Sequence, residues 1–211
     1  TPLRGVTVRA LILVDIQNDF VPGGALAVPD GDAVVPVANA LAPRFSLVVA
    51  SQDWHPADHG SFASAHPGAS PGSVVDLGGA EQVLWPDHCV QNAPGASFHS
   101  ALNVAVIDHV VRKGTDPDID SYSAFYDNGH RKDTGLATFL EQRCAEELVV
   151  LGLATDYCVK ATVLDAIGLG FGVTVIADGC RAVELTPGDG DRAFAEMRSA
   201  GARIITSAEL V

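Results

Sequence analysis

Apolar positions along this chain follow two rhythms. Short runs rich in Val, Ile, Leu and Ala occur at 10–14, 47–50, 109–111, 148–151, 173–177 and 203–205. Within these runs apolar residues follow one another rather than alternating with polar ones, the pattern of strands covered on both faces of a parallel sheet. Between them, stretches at 32–41, 134–143, 156–169 and 190–200 space their apolar residues for helices. Strand and helix take turns. This predicts an α/β fold: three layers, α/β/α, around a doubly wound, mainly parallel six-stranded sheet. The rhythm breaks at 53–105, which is rich in Gly, Pro, Ser and His and predicts only a weak helix at 97–104. Long irregular stretches inside compact domains are commonly functional, and both Trp residues fall in this one.

Composition narrows the function classes. A length of 211 residues fits one domain, expected to span 1–211 and to carry the irregular segment 53–105 as part of its site. The hydrophobic fraction of 47% against 18% charged residues excludes a disordered chain. With 26 acidic and 13 basic side chains, the net charge of −13 argues against nucleic acid or an anionic membrane as partner. No apolar run approaches the ~20 residues that span a bilayer, and residues 1–4 lack the apolar region of a secretion signal. Cys89, Cys144, Cys158 and Cys180 form no C-x-x-C pair, so zinc-ribbon and thioredoxin readings fail. Free thiols in a reducing cytosol are expected, hence a cytoplasmic protein.

Open α/β sheets bind ligands at the carboxyl ends of their strands, and the reactive residue types gather there. Asp15 ends the first run, Asp53 and His55 follow the second, Lys113 ends the third, and Cys158 follows the fourth. Gly152-Leu153-Ala154-Thr155-Asp156-Tyr157-Cys158 leads from strand to helix. A thiol in the first turn of that helix is expected to have its pKa lowered by the positive end of the helix dipole, beside backbone N–H groups suited to an oxyanion. Cys144 and Cys180 lack this setting and read as packing or loop residues; Cys89, next to His88, is a weaker nucleophile candidate. Asp15 is the candidate base and Lys113 the cation that orders both anions. An aspartyl-phosphate phosphatase would want a second Asp two residues after Asp15, where Gln17 stands.

Asp53-Trp54-His55 puts two metal-ligand types on one side of an extended segment, and His88 supplies a third. One carboxylate and two imidazoles leave coordination positions open, as catalytic sites do. His59 is either a further ligand, a donor behind the ligands, or a substrate contact. His66, His99, His109 and His130 read as surface residues.

Taken together, Leu13-Val14-Asp15-Ile16-Gln17-Asn18-Asp19-Phe20, Ser51-Gln52-Asp53-Trp54-His55-Pro56, Trp85-Pro86-Asp87-His88-Cys89-Val90-Gln91, Arg112-Lys113-Gly114 and Gly152–Val159 resemble the nicotinamidases of the isochorismatase-like cysteine hydrolase superfamily. The five segments keep the family's order over most of the chain. The resemblance implies a catalytic triad of Asp15, Lys113 and Cys158. It also implies an oxyanion hole from the Ala154 and Cys158 N–H groups, with a cis peptide between Leu153 and Ala154. A divalent metal is implied on Asp53, His55 and His88, zinc with iron or manganese as alternatives. Phe20, Trp85 and Tyr122 match the aromatic lining of the ring pocket, and Leu26 is a further lining candidate. Two departures from the family pattern are Asn92-Ala93, where a Gly-Thr pair is common, and Leu153 for a frequent Val or Ile.

The activity so implied is hydrolysis of nicotinamide to nicotinate and ammonia through a thioester, with pyrazinamide also accepted, as a step of NAD salvage. Two alternatives stand beside it: an amidohydrolase for another small amide of N-carbamoyl or ureidoacrylate type, and a non-catalytic metal-binding domain. The expected partner is a small-molecule amide, with neither nucleic acid nor membrane. Family members occur as monomers and as homo-oligomers, and both states are open.

Overall fold

The computed structural model describes residues 7–211; residues 1–4, considered above for a secretion signal, lie outside the described residues. Six strands form the main sheet: β1 Val8–Val14, β2 Val48–Asp53, β5 His109–Lys113, β6 Ala145–Leu153, β7 Gly172–Arg181 and β8 Arg203–Ile205. Their order is β5-β2-β1-β6-β7-β8, and every pairing is parallel. The chain starts at β1, builds outward through β2 to β5, then returns to lay β6 on the other side of β1. The switch point of this doubly wound sheet therefore lies between β1 and β6, where such folds open a ligand crevice. All six predicted strands are present; β6 and β7 run several residues beyond their apolar cores.

Burial explains the runs. Ala10–Val14 and all of β2 are buried, as are the last six residues of β6. Helices α1 Val34–Leu41, α2 Leu136–Gln142, α3 Lys160–Gly168 and α4 Asp189–Ala200 flank the sheet. On α1 the buried residues are Val34, Val35, Ala38 and Leu41, the spacing of one helical face. On α4, Asp189 and Asp191 sit in the first turn and Arg198 in the last, each complementing the helix dipole.

Three local expectations are corrected. The weak helix at 97–104 does not form: that stretch is turns ending in a 3-10 turn at Val104–Val106. So short a segment cannot sustain a helix without a buried face, and the Asn39 side chain ties down Ala101 O and Asn103 N instead. Second, 53–105 holds an unpredicted hairpin, β3 Val74–Leu77 and β4 Ala80–Val83. Its turn uses Gly78 and Gly79 at φ 63° and 82°, a Gly-Gly hairpin signal that was present in the sequence. Third, the helix expected over 156–169 is split, with Thr155–Val159 forming a π-helical turn ahead of α3. Asn92 turns at φ 64°, a conformation open to Asn as well as Gly.

Candidate active site

The switch point gathers side chains from four strand ends. Asp15 follows β1 and is held at a left-handed φ of 50°, a costly conformation of the kind found where surrounding structure fixes a functional group. Lys113 ends β5, in register with Asp53 at the end of β2. Its ammonium lies 2.9 Å from Asp15 Oδ2 and 2.6 Å from Asp53 Oδ1. It also donates to Ser121 O at 2.9 Å and lies 3.4 Å from Cys158 Sγ. Asp15 Oδ1 accepts the Ser51 hydroxyl at 2.7 Å, while Oδ2 has no directed hydrogen bond. Carboxylate oxygens of Asp15 and Asp53 and the Cys158 sulfur lie within 4.8 Å of one another.

Burial dominates the electrostatics here. It pushes the Asp15 carboxyl above the usual range against the pull of Lys113. Burial alone would lower Lys113, but Asp15 and Asp53 outweigh it and hold the ammonium well above the ordinary lysine range. The expected depression of the Cys158 thiol is not found. Burial pushes that thiol well up, Lys113 opposes, and Asp15 and Asp53 add to the rise. Desolvation and two nearby carboxylates outweigh a helix start, so the protonated thiol is favoured. The other cysteines differ in setting. Cys89 and Cys180 are buried, the latter pushed to about 12 by burial, and Cys144 is exposed.

Asp53, His55 and His88 also converge, with one ligand atom from each inside a 4.8 Å cluster. His55 Nδ1 pairs with Gly114 O and His88 Nδ1 with Pro86 O, each at 2.7 Å. These carbonyls direct both Nε2 atoms toward Asp53 Oδ2, at 3.4 and 3.8 Å. His55 Nε2 is buried without a hydrogen-bond partner. An orphaned imidazole nitrogen of His55 and an oriented one of His88 beside a carboxylate form the donor set of a divalent metal site, and the three residues fit one. Burial and His55 push His88 down to about 4, while Asp53 raises His55 to about 9 against burial. His59 is not in this trio. It groups with His55 and Asp120, and its Nδ1 pairs with Ser61 Oγ at 2.7 Å.

Above these groups opens a cavity lined by Phe20, Leu26, Trp85, Tyr122, Ala154 and Cys158 among others. The Leu153–Ala154 peptide is cis. Residues 9–209 match the isochorismatase domain. The chain belongs to the isochorismatase family.

Within that family it is similar to the nicotinamidase of Escherichia coli strain K12, with 56% identity over 205 residues, covering 95% of this chain and 96% of that protein. Among solved structures it is similar to a nicotinamidase and pyrazinamidase of Acinetobacter baumanii, with a TM-score of 0.94 and 43% identity over 99% and 100% of the two chains. A pyrazinamidase of Pyrococcus horikoshii in complex with zinc aligns at a TM-score of 0.76 and 38% identity, over 94% and 98%.

Several residues of this isochorismatase-family site escape sequence reasoning. Gln17, considered only as the wrong residue for a phosphatase, holds Asp53 by both backbone groups: Nε2 donates to Asp53 O and Oε1 accepts Asp53 N, each at 2.8 Å. Asp19 Oδ2 accepts Cys89 N at 2.7 Å and so ties the Phe20 wall to the segment carrying His88. Tyr122 OH accepts from Gln82 Nε2 at 3.0 Å and from Trp85 Nε1 at 3.2 Å. Tyr157 stands edge-on to Trp85, with ring centroids 4.9 Å apart, and lines the cavity with Val183 and Asp120. The Ser51-Gln52-Asp53 segment offered a signal for Ser51, two residues before Asp53 on the same strand face. Asp120 and Val183 carried none.

Proposed function

We propose that this chain hydrolyses nicotinamide to nicotinate and ammonia, and pyrazinamide to the corresponding acid, through a thioester on Cys158. The observation that carries the reading is the buried contact of Cys158 Sγ with Lys113 at 3.4 Å, and of Lys113 with Asp15 at 2.9 Å, at the floor of an aromatic cavity. Identity to nicotinamidases over nearly the whole chain supports the same substrate.

The amide ring lies among Phe20, Trp85 and Tyr122, which presents the carboxamide to the sulfur and converts binding energy into orientation. Asp15 Oδ2, free of other directed hydrogen bonds, takes the thiol proton. Lys113 stays protonated and offsets the charge on Asp15 and sulfur. Sulfur attacks the amide carbon, and the Ala154 and Cys158 N–H groups hold the oxyanion. Asp15 returns the proton to the departing nitrogen, releasing ammonia and leaving the thioester. It then takes a proton from water, whose oxygen attacks the thioester, and the acid leaves as sulfur recovers its proton. A divalent ion held by Asp53, His55 and His88, for which zinc is the best candidate, would supply Lewis acidity and a docking point for a ring nitrogen. The aromatic lining beside these ligands favours a heteroaromatic amide over N-carbamoyl or ureidoacrylate substrates.

Ammonia release from nicotinamide, set against pyrazinamide and a panel of aliphatic amides, tests the substrate. Cys158→Ala is expected to abolish release while ligand binding persists; appreciable turnover by that variant sinks the covalent scheme. His88→Ala is expected to lose the metal, and unchanged metal content by mass spectrometry would refute its place as a ligand.

A further inference from the structure

The mechanism leaves one buried charge in the cavity without a task. Asp120 is 2% exposed and lines the same space as Cys158. Its Oδ1 accepts Ser121 N at 2.8 Å and its Oδ2 accepts Gln82 Nε2 at 3.3 Å. Oδ1 is thus held by a backbone donor, while the Gln82 amide that reaches Oδ2 also meets Val83 O at 2.7 Å and Tyr122 OH at 3.0 Å. The nearest ionisable nitrogen is His55 Nε2 at 4.0 Å, and no Lys or Arg lines the cavity among the described residues.

We infer that Asp120 sets the charge selectivity of the pocket, admitting the neutral amide and disfavouring the anionic acid. This rests on the hydrolysis proposed above. Lys113 balances Asp15. A divalent ion on the Asp53 trio would be balanced by Asp53 and Asp120. The site is then close to neutral around an uncharged amide. Hydrolysis adds a further carboxylate to a space that Asp53 and Asp120 already line, where repulsion is weakly screened. Asp120 therefore speeds departure of the acid and limits inhibition by it, with little effect on the amide. Gln82 and Ser121 hold the carboxylate in place, so its charge faces the cavity rather than solvent.

The test compares two ligands on one protein. Zinc-loaded Cys158→Ala protein is titrated calorimetrically with nicotinate and with nicotinamide, with and without Asp120→Asn, and metal content is measured on each sample. The neutral variant is expected to bind nicotinate at least about tenfold more tightly while nicotinamide affinity moves by less than about twofold. Asp120→Glu is expected to keep the parental ratio, and Asp120→Ser gives a second neutral side chain should the amide fold poorly. An unchanged ratio of the two affinities overturns the inference. So does loss of zinc together with both ligands, which would assign Asp120 to metal retention. Wild-type ammonia release is run alongside. Its absence defeats the substrate reading and the inference with it, whereas turnover with an unchanged ratio defeats only charge selectivity.

Discussion

Lys113 has three N–H bonds and four acceptors around them: Asp15, Asp53, Ser121 O and Cys158 Sγ. That surplus leaves Asp15 Oδ2 underused, and an underused buried oxygen is a ready proton acceptor. Asp15 Oδ1, by contrast, is held by Ser51. Ser51→Ala removes a buried bond to a charged group, worth ~1.5–3 kcal/mol, and is expected to lower kcat about ten- to a hundredfold with little change in KM, measured by steady-state ammonia release. Because burial raises the Asp15 carboxyl, the base is lost to protonation earlier than an exposed acid would be. The acid limb of kcat/KM should therefore lie above the ~3.9 of an ordinary Asp; a limb at or below that value contradicts Asp15 as base. Asp15, Lys113 and Cys158 were legible because each ends or follows an apolar run. Ser51 was marked only by its place two residues before Asp53, and Asp120 not at all, since its meaning comes from a partner 38 residues away.

Elements meet most tightly where β1 and β6 lie side by side. Val14 pairs with Gly152, and Gly152 sits at φ 134°, where a Cβ would collide with the Val14 backbone. Gly152→Ala forces apart the two strands whose ends carry Asp15 and Cys158. A loss of at least ~3 kcal/mol is expected from clash and backbone strain together, seen as a lower urea midpoint or as insoluble protein. The central strand positions were readable because doubly buried strands leave unbroken apolar runs, whereas the edge strands β5 and β8 are partly exposed. The π-helical turn Thr155–Val159 was not readable, because it and a first α-helical turn share the same residue preferences. The hairpin at 74–83 was readable through Gly78-Gly79, and the loop-like composition around it obscured the signal.

At the scale of the molecule, the doubly wound order sets the charge pattern. It brings Asp15, Asp53 and Lys113 into one buried cluster, and removing the cation leaves two carboxylates without a counter-charge. In metal-free protein Lys113→Ala should cost ~3–5 kcal/mol at neutral pH. The sign follows from both shifts. Lys113 is raised, so its contribution is complete below the unfolded value of ~10.4 and fades only as pH rises through its folded value. Asp53 is held below the carboxylate range by Lys113 and His55 against burial, so its contribution is present above ~3.9 and is lost as pH falls. The pair stabilises between those limits, and the penalty of the variant should shrink toward acid pH as the buried carboxylates protonate. Urea unfolding at several pH values checks this; a penalty independent of pH argues against the buried pair. No helix among the described residues is long and apolar enough to cross a membrane.

Sequence by itself determined the fold class and the six strands, and set Asp15, Asp53, Lys113 and Cys158 at or just after strand ends, because apolar periodicity and strand-end placement are local properties written in order along the chain. Tertiary structure alone decided how those residues share partners. Asp53 serves both Lys113 and the histidine pair, Gln17 anchors Asp53, and Asp120 lines the same cavity as Cys158. It also reversed the expected state of Cys158, since a pKa is set by burial and by charges that distant strands bring near, and no local pattern records either.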